Sequence, residues 1–188
     1  MKTTRDDSSQ PKRVLALVFD GIEEVEAIGP IDILRRSNVE VLAASLENQL
    51  EITGRNKIRF IADCFLRECE FDTFDMLYLP GGPGVVPLAE NETVLNAIHA
   101  FDREKRFIAA ICAAPAVLRA AGVLDDRIAT GHLSIRSDLP QPSDERIVRT
   151  EHILTSQGAG TAIECGIQMA RLLVGDEVAD NVSASIHA

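Results

Sequence analysis

The chain has 188 residues, of which 46% are hydrophobic and 26% are charged. This composition is typical of a soluble globular protein, and it excludes a disordered chain and a membrane protein. The 19 lysines and arginines stand against 29 aspartates and glutamates, which gives a formal net charge of -10. Because this charge repels phosphate backbones and anionic headgroups, we expect neither nucleic acid nor a membrane as a partner.

The four cysteines, Cys64, Cys69, Cys112 and Cys165, form no C-x-x-C pair and have no histidine at zinc-site spacing. They are therefore expected to be reduced, separate thiols, with no structural metal. The first thirteen residues lack the apolar run of a secretory signal, and no stretch of about 18 apolar residues occurs. We predict a cytoplasmic protein with a disordered tail at 1–12 and a single domain at 13–188.

Short apolar runs rich in β-branched residues alternate with longer segments of helical period, which predicts an α/β domain with a mostly parallel, covered sheet. Strands are predicted at 13–19, 39–45, 75–80, 107–111 and 152–156, with a hairpin across 49–62. Helices are predicted at about 22–37, 91–105, 113–121 and 159–174. The segment 125–150 is the most loop-like and is expected to border a site.

The fragment FIAAICAAPAVLRAAG at 107–122 predicts an apolar strand that turns directly into a helix of small residues. Such a turn lifts one side chain off the carboxyl end of a parallel sheet, where α/β proteins carry their chemistry. Cys112 occupies that place, and the helix N-terminus favours its thiolate over its thiol. The alternative is that Cys112 is a small buried hydrophobic residue, as free cysteines commonly are.

The fragment YLPGGPG at 78–84 ends an apolar strand in three glycines and two prolines. Glycines at this place let backbone N–H groups approach a ligand closely, although a plain turn without a ligand is the alternative. Because the fragment lacks the GxGxxG and Walker spacings, a nucleotide site has little support.

The fragment DGIEEVEAIGPIDILRR at 20–36 predicts a helix after the first strand. Glu23 and Glu24 are expected on its solvent side, whereas Glu26 shares its apolar face. Pro30 lacks the N–H that would bond the Glu26 carbonyl, so the helix is expected to kink or open there. Burial and a neighbouring thiolate would raise the pKa of Glu26, so that it carries a proton at neutral pH and donates it to sulfur. The alternative is a partly exposed glutamate favoured by the helix dipole.

Four motifs stand in one order along the chain: GIEEVE at 21–26, YLPGG at 78–82, AAICAAP at 109–115 and LTSQGAGTA at 154–162. In order and approximate spacing they resemble the ThiJ/PfpI superfamily, and specifically its DJ-1 branch, the group of Parkinson disease protein 7. The resemblance runs from residue 13 to about 180. It implies a flavodoxin-like three-layer α/β sandwich with a mostly parallel sheet, usually a homodimer.

The same resemblance implies the roles of the site residues. Cys112 is the nucleophile, Glu26 is its protonated carboxyl partner, and the backbone amides of Gly82 and Ala113 form a pocket for an oxyanion or oxidised sulfur. His132 matches a position where some family members carry a site histidine, which favours acid-base chemistry. Its alternative is a surface or hydrogen-bonded loop histidine.

Protease-like relatives carry a histidine directly after the cysteine, where this chain has Ala113. A thiol without an adjacent base attacks most readily an electrophile that is already reactive, such as an aldehyde, so amide hydrolysis is disfavoured. The leading hypothesis is a cofactor-independent glyoxalase or deglycase acting on methylglyoxal, glyoxal or their early protein adducts, with no metal or nucleotide.

Two other hypotheses use the same pocket. One is a redox-responsive stress or chaperone protein in which Cys112 is oxidised to sulfinic acid without turnover. The other is a small-molecule binding module. The sequence does not separate the glyoxalase from the redox protein, because both need the same cysteine beside the same carboxyl.

Overall fold

A computed structural model describes residues 10–188. Residues 1–9 of the expected tail lie outside the described residues. The strands are β1 Arg13–Val18, β2 Glu40–Ser45, β3 Glu51–Thr53, β4 Arg59–Ile61, β5 Cys64–Phe65, β6 Met76–Leu79, β7 Phe107–Ile111, β8 Ile128–Ala129, β9 Gln141–Pro142, β10 Ile147–Thr150 and β11 Ile153–Ser156. The helices are α1 Glu24–Arg36, α2 Glu92–Arg103, α3 Pro115–Ala120, α4 Leu133–Arg136, α5 Ala162–Val174 and α6 Asp176–Ser185.

Seven of these strands form one sheet in the order β10-β11-β7-β6-β1-β2-β5. All neighbours in it are parallel except β10, which runs antiparallel to β11. The central strands are apolar and buried almost end to end, because both faces of a parallel sheet are covered by helices. The predicted flavodoxin-like sandwich is confirmed.

The helices lie on both faces of the sheet because successive connections between strands move toward opposite edges of the sheet. The connection from β1 to β2 carries α1, and the connection from β6 to β7 carries α2 in the opposite direction across the sheet. Since such crossovers are almost always right-handed, the two helices cover opposite faces. α5 packs against α1, which completes that layer. Among residues 10–188, no helix is long and apolar enough to cross a membrane.

The five predicted strands, the hairpin of β3 with β4, and four predicted helices are confirmed, with ends that differ by up to three residues. The segment 125–150 holds only short elements, β8, β9, α4 and β10, and it borders the site, since the His132 N–H donates to the Cys112 carbonyl at 2.7 Å. β10 is an edge strand of half-exposed residues, so it lacks the apolar run that marks the central strands. α6 was not predicted, since only Ala179 and Val182 of this helix are buried.

Glu24 is 5% exposed, which contradicts its expected place on the solvent side of α1. Its carboxylate accepts hydrogen bonds from the backbone N–H of Asn56 at 2.8 Å and from Asn56 Nδ2 at 2.9 Å, at the tip of the hairpin. Burial acts to raise the pKa of Glu24, but the hydrogen bonds from Asn56 and Ile58 outweigh it and hold that pKa below its usual value. Glu24 therefore fastens the hairpin to the start of α1.

Replacing Glu24 by alanine is expected to lower the free energy of unfolding by about 1–3 kcal/mol, because the partly buried N–H groups that Asn56 and Ile58 direct at it lose a charged acceptor. Glu23→Ala is the matched control, since Glu23 makes a half-exposed ion pair with Arg55 at 3.2 Å. Such a pair contributes up to about 1 kcal/mol. Urea denaturation of both variants tests this, and equal losses would contradict the assigned role of Glu24.

Candidate active site

The site lies where the carboxyl ends of three neighbouring strands meet. β7 leads directly into Cys112, β6 leads into Gly81 and Gly82, and β1 leads through a short loop into α1, which carries Glu26. This edge of an open parallel sheet is where α/β proteins bind ligands. Four of the residues selected from the sequence, Cys112, Glu26, Gly82 and Ala113, come together here.

Cys112 is held in a strained turn between β7 and α3. Its φ angle is 65°, in the left-handed region that costs a non-glycine residue on the order of 1 kcal/mol. Its N–H donates to the Ser156 carbonyl at 2.9 Å, and its carbonyl accepts from the His132 N–H at 2.7 Å. These two bonds fix the turn, which leaves the side chain half-buried at the edge of the sheet.

Glu26 is fully buried beside Cys112, with an exposed fraction of 0%. Its Oε2 accepts a hydrogen bond from the Gly81 N–H at 3.0 Å. A side chain at Gly81 would not fit, because its Cβ would lie 2.6 Å from Cys112 Cβ and 2.7 Å from Glu26 Oε2. Glycine at this position therefore allows the thiol and the carboxyl to approach each other.

The second carboxyl oxygen of Glu26 shares a small space with the thiol. Oε1 is buried, and among the described residues it has no hydrogen-bond partner of normal geometry. A Cβ placed on Gly158 would lie 3.7 Å from this oxygen and 3.8 Å from Cys112 Sγ, so both atoms border the same point. A proton held between Oε1 and Sγ would satisfy an otherwise costly buried oxygen.

The backbone of α1 near Glu26 is not open, in contrast to the expected effect of Pro30. The helix is continuous from Glu24 to Arg36, and the Glu26 carbonyl accepts a hydrogen bond from the Tyr78 hydroxyl at 2.6 Å. Tyr78 thus supplies the donor that Pro30 lacks. Burial raises the pKa of Tyr78 well above its usual value, so this hydroxyl keeps its proton.

The electrostatics of the pair favour one shared proton. Burial raises the pKa of Glu26 to about 7. Burial and the adjacent Glu26 carboxylate raise the pKa of Cys112 to about 12, whereas hydrogen bonds from the Ala113 and Gly82 amides act to lower it. The N-terminus of α3 does not produce the thiolate in the way expected from the sequence, because α3 has only six residues and burial outweighs its effect on the pKa of Cys112. A thiolate at neutral pH therefore requires that the proton reside on Glu26.

His132 contributes its backbone to the Cys112 turn, while its imidazole is exposed. Nδ1 lies 2.8 Å from Ser134 Oγ and accepts from the Ser134 N–H at 3.2 Å, which caps α4. His132 and Gly158 both line a surface cavity of about 280 Å³. The hydrogen bonds described for this ring go to Ser134, and not to Cys112 or Glu26.

Three contributors to the site were not selected from the sequence: Gly81, Tyr78 and Ser156. The sequence shows the Gly81-Gly82 pair. Which of the two N–H groups bonds to the Glu26 carboxyl depends on the residue at which β6 ends, and the sequence does not fix that residue. Because Pro30 has no N–H, the sequence indicates that the Glu26 carbonyl needs another hydrogen-bond donor. Nothing near it in the sequence identifies Tyr78 as that donor. Ser156 acts through its main-chain oxygen, which no side-chain pattern reveals.

A model of the DJ-1/PfpI family matches residues 12–172. The chain belongs to this family, as its motifs indicated. Among the relatives, Protein DJ-1 homolog A of Arabidopsis thaliana is 35% identical over 94% of this chain. The chain spans 39% and 47% of the lengths of the Arabidopsis homologs B and A. The Glutathione-independent glyoxalase DJR-1.2 of Caenorhabditis elegans is 29% identical, with 90% of this chain and 92% of the relative covered.

A solved structure supports the same fold assignment. The crystal structure of Drosophila melanogaster DJ-1beta superimposes with a TM-score of 0.91 at 30% identity, covering 95% of this chain and 99% of that one. Within residues 10–188, no group of three or more histidine, cysteine, aspartate or glutamate side chains is placed to hold a metal ion.

Burial of Glu26 makes stability depend on pH. Its pKa is about 7 in the folded protein against an ordinary value of 4.5. Because the folded state binds this proton more tightly, the stabilisation is present in full below the ordinary pKa and is lost as the pH rises through about 7. The difference between the two pKa values corresponds to a change of about 3 kcal/mol in the free energy of unfolding.

We therefore expect the free energy of unfolding of the wild type, minus that of Glu26→Gln, to fall by about 3 kcal/mol between about pH 4 and pH 8. Glutamine occupies almost the same volume and does not titrate, so the difference reports the titration of this carboxyl together with the thiol that is coupled to it. Urea denaturation across this range measures it. A difference that does not change with pH would mean that Glu26 titrates as an ordinary exposed carboxyl.

Proposed function

We propose that this protein is a cysteine-dependent, cofactor-independent glyoxalase or deglycase that acts on methylglyoxal, glyoxal or their early protein adducts. The observation that carries the proposal is the pairing of a half-buried thiol with a fully buried carboxyl whose pKa is raised to about 7. When the proton that the pair shares resides on Glu26, the pair supplies a thiolate nucleophile and a proton donor at neutral pH. The relative named as a glutathione-independent glyoxalase supports the choice of reaction.

The proposed reaction is redox-neutral overall and begins with a sulfur–carbon bond. The Cys112 thiolate adds to the aldehyde carbon of methylglyoxal, and the Glu26 proton passes to the aldehyde oxygen to give a hemithioacetal. The resulting carboxylate removes the hydrogen of that carbon as a proton and returns it to the neighbouring carbonyl carbon, through an enediol. Water then cleaves the thioester, releasing lactate and restoring the thiol.

The backbone amides of Gly82 and Ala113 have a role in the first and last steps. Both donate toward the sulfur of Cys112, and the same N–H groups would stabilise negative charge on an oxygen attached to the adjacent carbon. His132 and Gly158 line the same surface cavity, and we assign His132 the movement of protons between the pair and solvent. No step of this scheme uses a metal or a nucleotide.

We also propose that the protein is a cytoplasmic homodimer with a single domain at 13–188. Supporting the dimer, α1 exposes Val25 by 50% and Ile28 by 45%, and Ile163 of α5 is 38% exposed. Ile163 adjoins α1, since its Cδ1 would lie 3.2 Å from a Cβ at Gly29. A second copy of the chain would cover this apolar surface, and light scattering at micromolar concentration would detect the dimer.

Steady-state consumption of methylglyoxal without glutathione tests the enzymatic proposal. The enzyme is expected to form many molecules of lactate per chain, since the thiol is regenerated in each cycle. Consumption that stops at about one aldehyde per Cys112 would reject turnover and indicate simple adduct formation. Omitting glutathione excludes a hemithioacetal formed in solution before the aldehyde reaches the protein.

The redox-responsive protein is the second candidate, and the arrangement around the sulfur favours it specifically. Cys112 is partly exposed, and the Gly82 and Ala113 amides could hold the oxygens of a sulfinate as well as an oxyanion. Cys165, in contrast, is fully buried. Oxidation at Cys112 without any turnover would favour this candidate.

Mild peroxide is expected to add two oxygen atoms to Cys112 before it adds oxygen to any other cysteine, because this sulfur combines access with nearby amide donors. Peptide mass spectrometry after limited treatment measures the order of oxidation. Cys165 is an internal control, since it is buried in the same chain. Sulfinic acid appearing first elsewhere, with Cys112 untouched, would contradict an activated Cys112.

A further inference from the structure

Two of the cysteines that the sequence analysis expected to be separate thiols lie side by side. Cys64 begins β5, the strand at the opposite end of the sheet from β10, and Cys69 follows the 3-10 turn Leu66–Glu68. Their sulfur atoms are 3.5 Å apart, and both side chains are partly exposed. All four cysteines are free, as expected, but these two are not separate in space, because a turn of three residues folds the chain back on itself.

The backbone on both sides of the pair is fixed by hydrogen bonds. Cys64 is paired with Ala44 of β2 in the parallel ladder. The Cys69 N–H donates to the Leu66 carbonyl at 3.0 Å, and Cys69 Sγ lies 3.6 Å from the Phe65 carbonyl oxygen. A disulfide bond is about 2.05 Å long, so the sulfurs need to approach by roughly 1.5 Å, a distance that side-chain rotation can supply.

We propose that Cys64 and Cys69 form a reversible intramolecular disulfide, with a hydroperoxide as the oxidant, as a modification site distinct from Cys112. One sulfur attacks a peroxide oxygen, the O–O bond breaks, and a sulfenic acid and one water form. The other sulfur then displaces the hydroxyl group as a second water while the S–S bond forms. Two thiols and one hydrogen peroxide give one disulfide and two waters, so two electrons leave the pair.

This site is too far from Cys112 to exchange with it within one chain. β5 is four strands away from β7, and strands in a sheet are about 4.8 Å apart, which gives a separation of roughly 19 Å. The pair therefore reacts with the oxidant directly, and it resolves its own sulfenic acid. Cys112 has no neighbouring cysteine of this kind, so it proceeds toward the sulfinic acid.

The surroundings of the pair favour persistence of the disulfide. Burial, the hydrogen bond with Cys64 and the charge of Glu68 raise the pKa of Cys69 to about 12. A thiol of high pKa is both a poor nucleophile toward peroxide and a poor leaving group, so formation of the bond is slow, and so is its opening by an external thiolate that expels Cys69. We expect the bond to form under sustained oxidation and to require a strong dithiol reductant for rapid opening.

The chain offers a direct test, because Arg67 lies between the two cysteines. Trypsin cleaves after Arg67, so the peptides 60–67 and 68–103 stay together only through a disulfide. Cys112→Ser protein would be treated with hydrogen peroxide, alkylated and digested without reduction. The expected result is a linked peptide pair that has lost two hydrogens and separates on reduction. Separate peptides, each alkylated or carrying its own oxygen atoms, would overturn the proposal.

Two variants in the same Cys112→Ser background serve as controls. Cys64→Ser is expected to abolish the linked species, whereas Cys165→Ser, which changes a buried cysteine beside Met169, is expected to retain it. Intact mass under non-reducing conditions distinguishes a bond within one chain from a bond between two chains. A linked species found only in covalent dimers, or one that requires Cys165, would also overturn the proposal.

Discussion

Cys112→Ser is expected to abolish methylglyoxal consumption while leaving the fold intact. Serine is nearly isosteric with cysteine, so the strained turn and its bonds to Ser156 and His132 can persist. The hydroxyl is a far poorer nucleophile than a thiolate, and Glu26 is a carboxyl too weak in basicity to ionise it. Steady-state turnover, with circular dichroism to verify folding, measures the effect.

The matched controls are Cys64→Ser, Cys69→Ser and Cys165→Ser, which are expected to spare turnover. Cys64→Ser is the most informative control, because Cys64 is partly exposed like Cys112 but lies at the far edge of the sheet. If one of these three substitutions abolished turnover in a folded protein and Cys112→Ser did not, the assignment of the nucleophile would be wrong.

Glu26→Gln is expected to reduce turnover by roughly 10²–10⁴-fold, the loss typical of removing a general acid or base. Glutamine keeps almost the same shape and can still donate a hydrogen bond to Cys112 sulfur, but it cannot exchange a proton with the substrate. Glutamine is neutral, as protonated Glu26 is, and it removes the carboxylate charge that acts after burial to raise the pKa of Cys112, so the thiolate is expected to survive in this variant. Turnover and thiolate absorbance, measured on the same samples, separate the two effects.

Glu26→Ala provides the comparison, because it removes both the proton and the hydrogen bond. Its apparent thiol pKa is expected to differ from that of Glu26→Gln, while turnover remains low in both. Near-wild-type behaviour of both variants in both assays would mean that Glu26 is only a structural glutamate. That result would favour a purely oxidative function for Cys112.

The central sheet could be predicted from the sequence because its signal is local. Strands such as β1 and β7 are short apolar runs buried on both faces, and the change to small residues after Ile111 marks the Cys112 turn. Glu26 was found by the same kind of reasoning, as a carboxylate on an apolar helix face. The residues alone left the chemical roles of Cys112 and Glu26 open beside structural alternatives, and the resemblance to a family decided between them.

Other features of the fold and the site could not be predicted from the sequence, because they depend on contacts between distant parts of the chain or have too weak a local pattern. Glu24 is buried because the hairpin tip at Asn56, more than thirty residues later, covers it. The sulfurs of Cys64 and Cys69 meet because of a 3-10 turn whose sequence carries no glycine or proline. β10 and α6 were not predicted. An edge strand and a mostly exposed helix bury too few apolar residues to show a clear hydrophobic periodicity in the sequence.

The central claim is that Cys112 and Glu26 work as one unit that shares a proton, and parallel pH titrations test it most directly. Between about pH 5 and pH 9, kcat/KM for methylglyoxal and the thiolate absorbance would be followed in the wild type and in Glu26→Gln. In the wild type, we expect turnover to rise with pH as the pair loses its first proton, with an apparent pKa of about 7, and absorbance to change over the same range. In Glu26→Gln this step should disappear from both curves. A wild-type step that persists unchanged in Glu26→Gln would contradict the shared proton and, with it, the proposed mechanism.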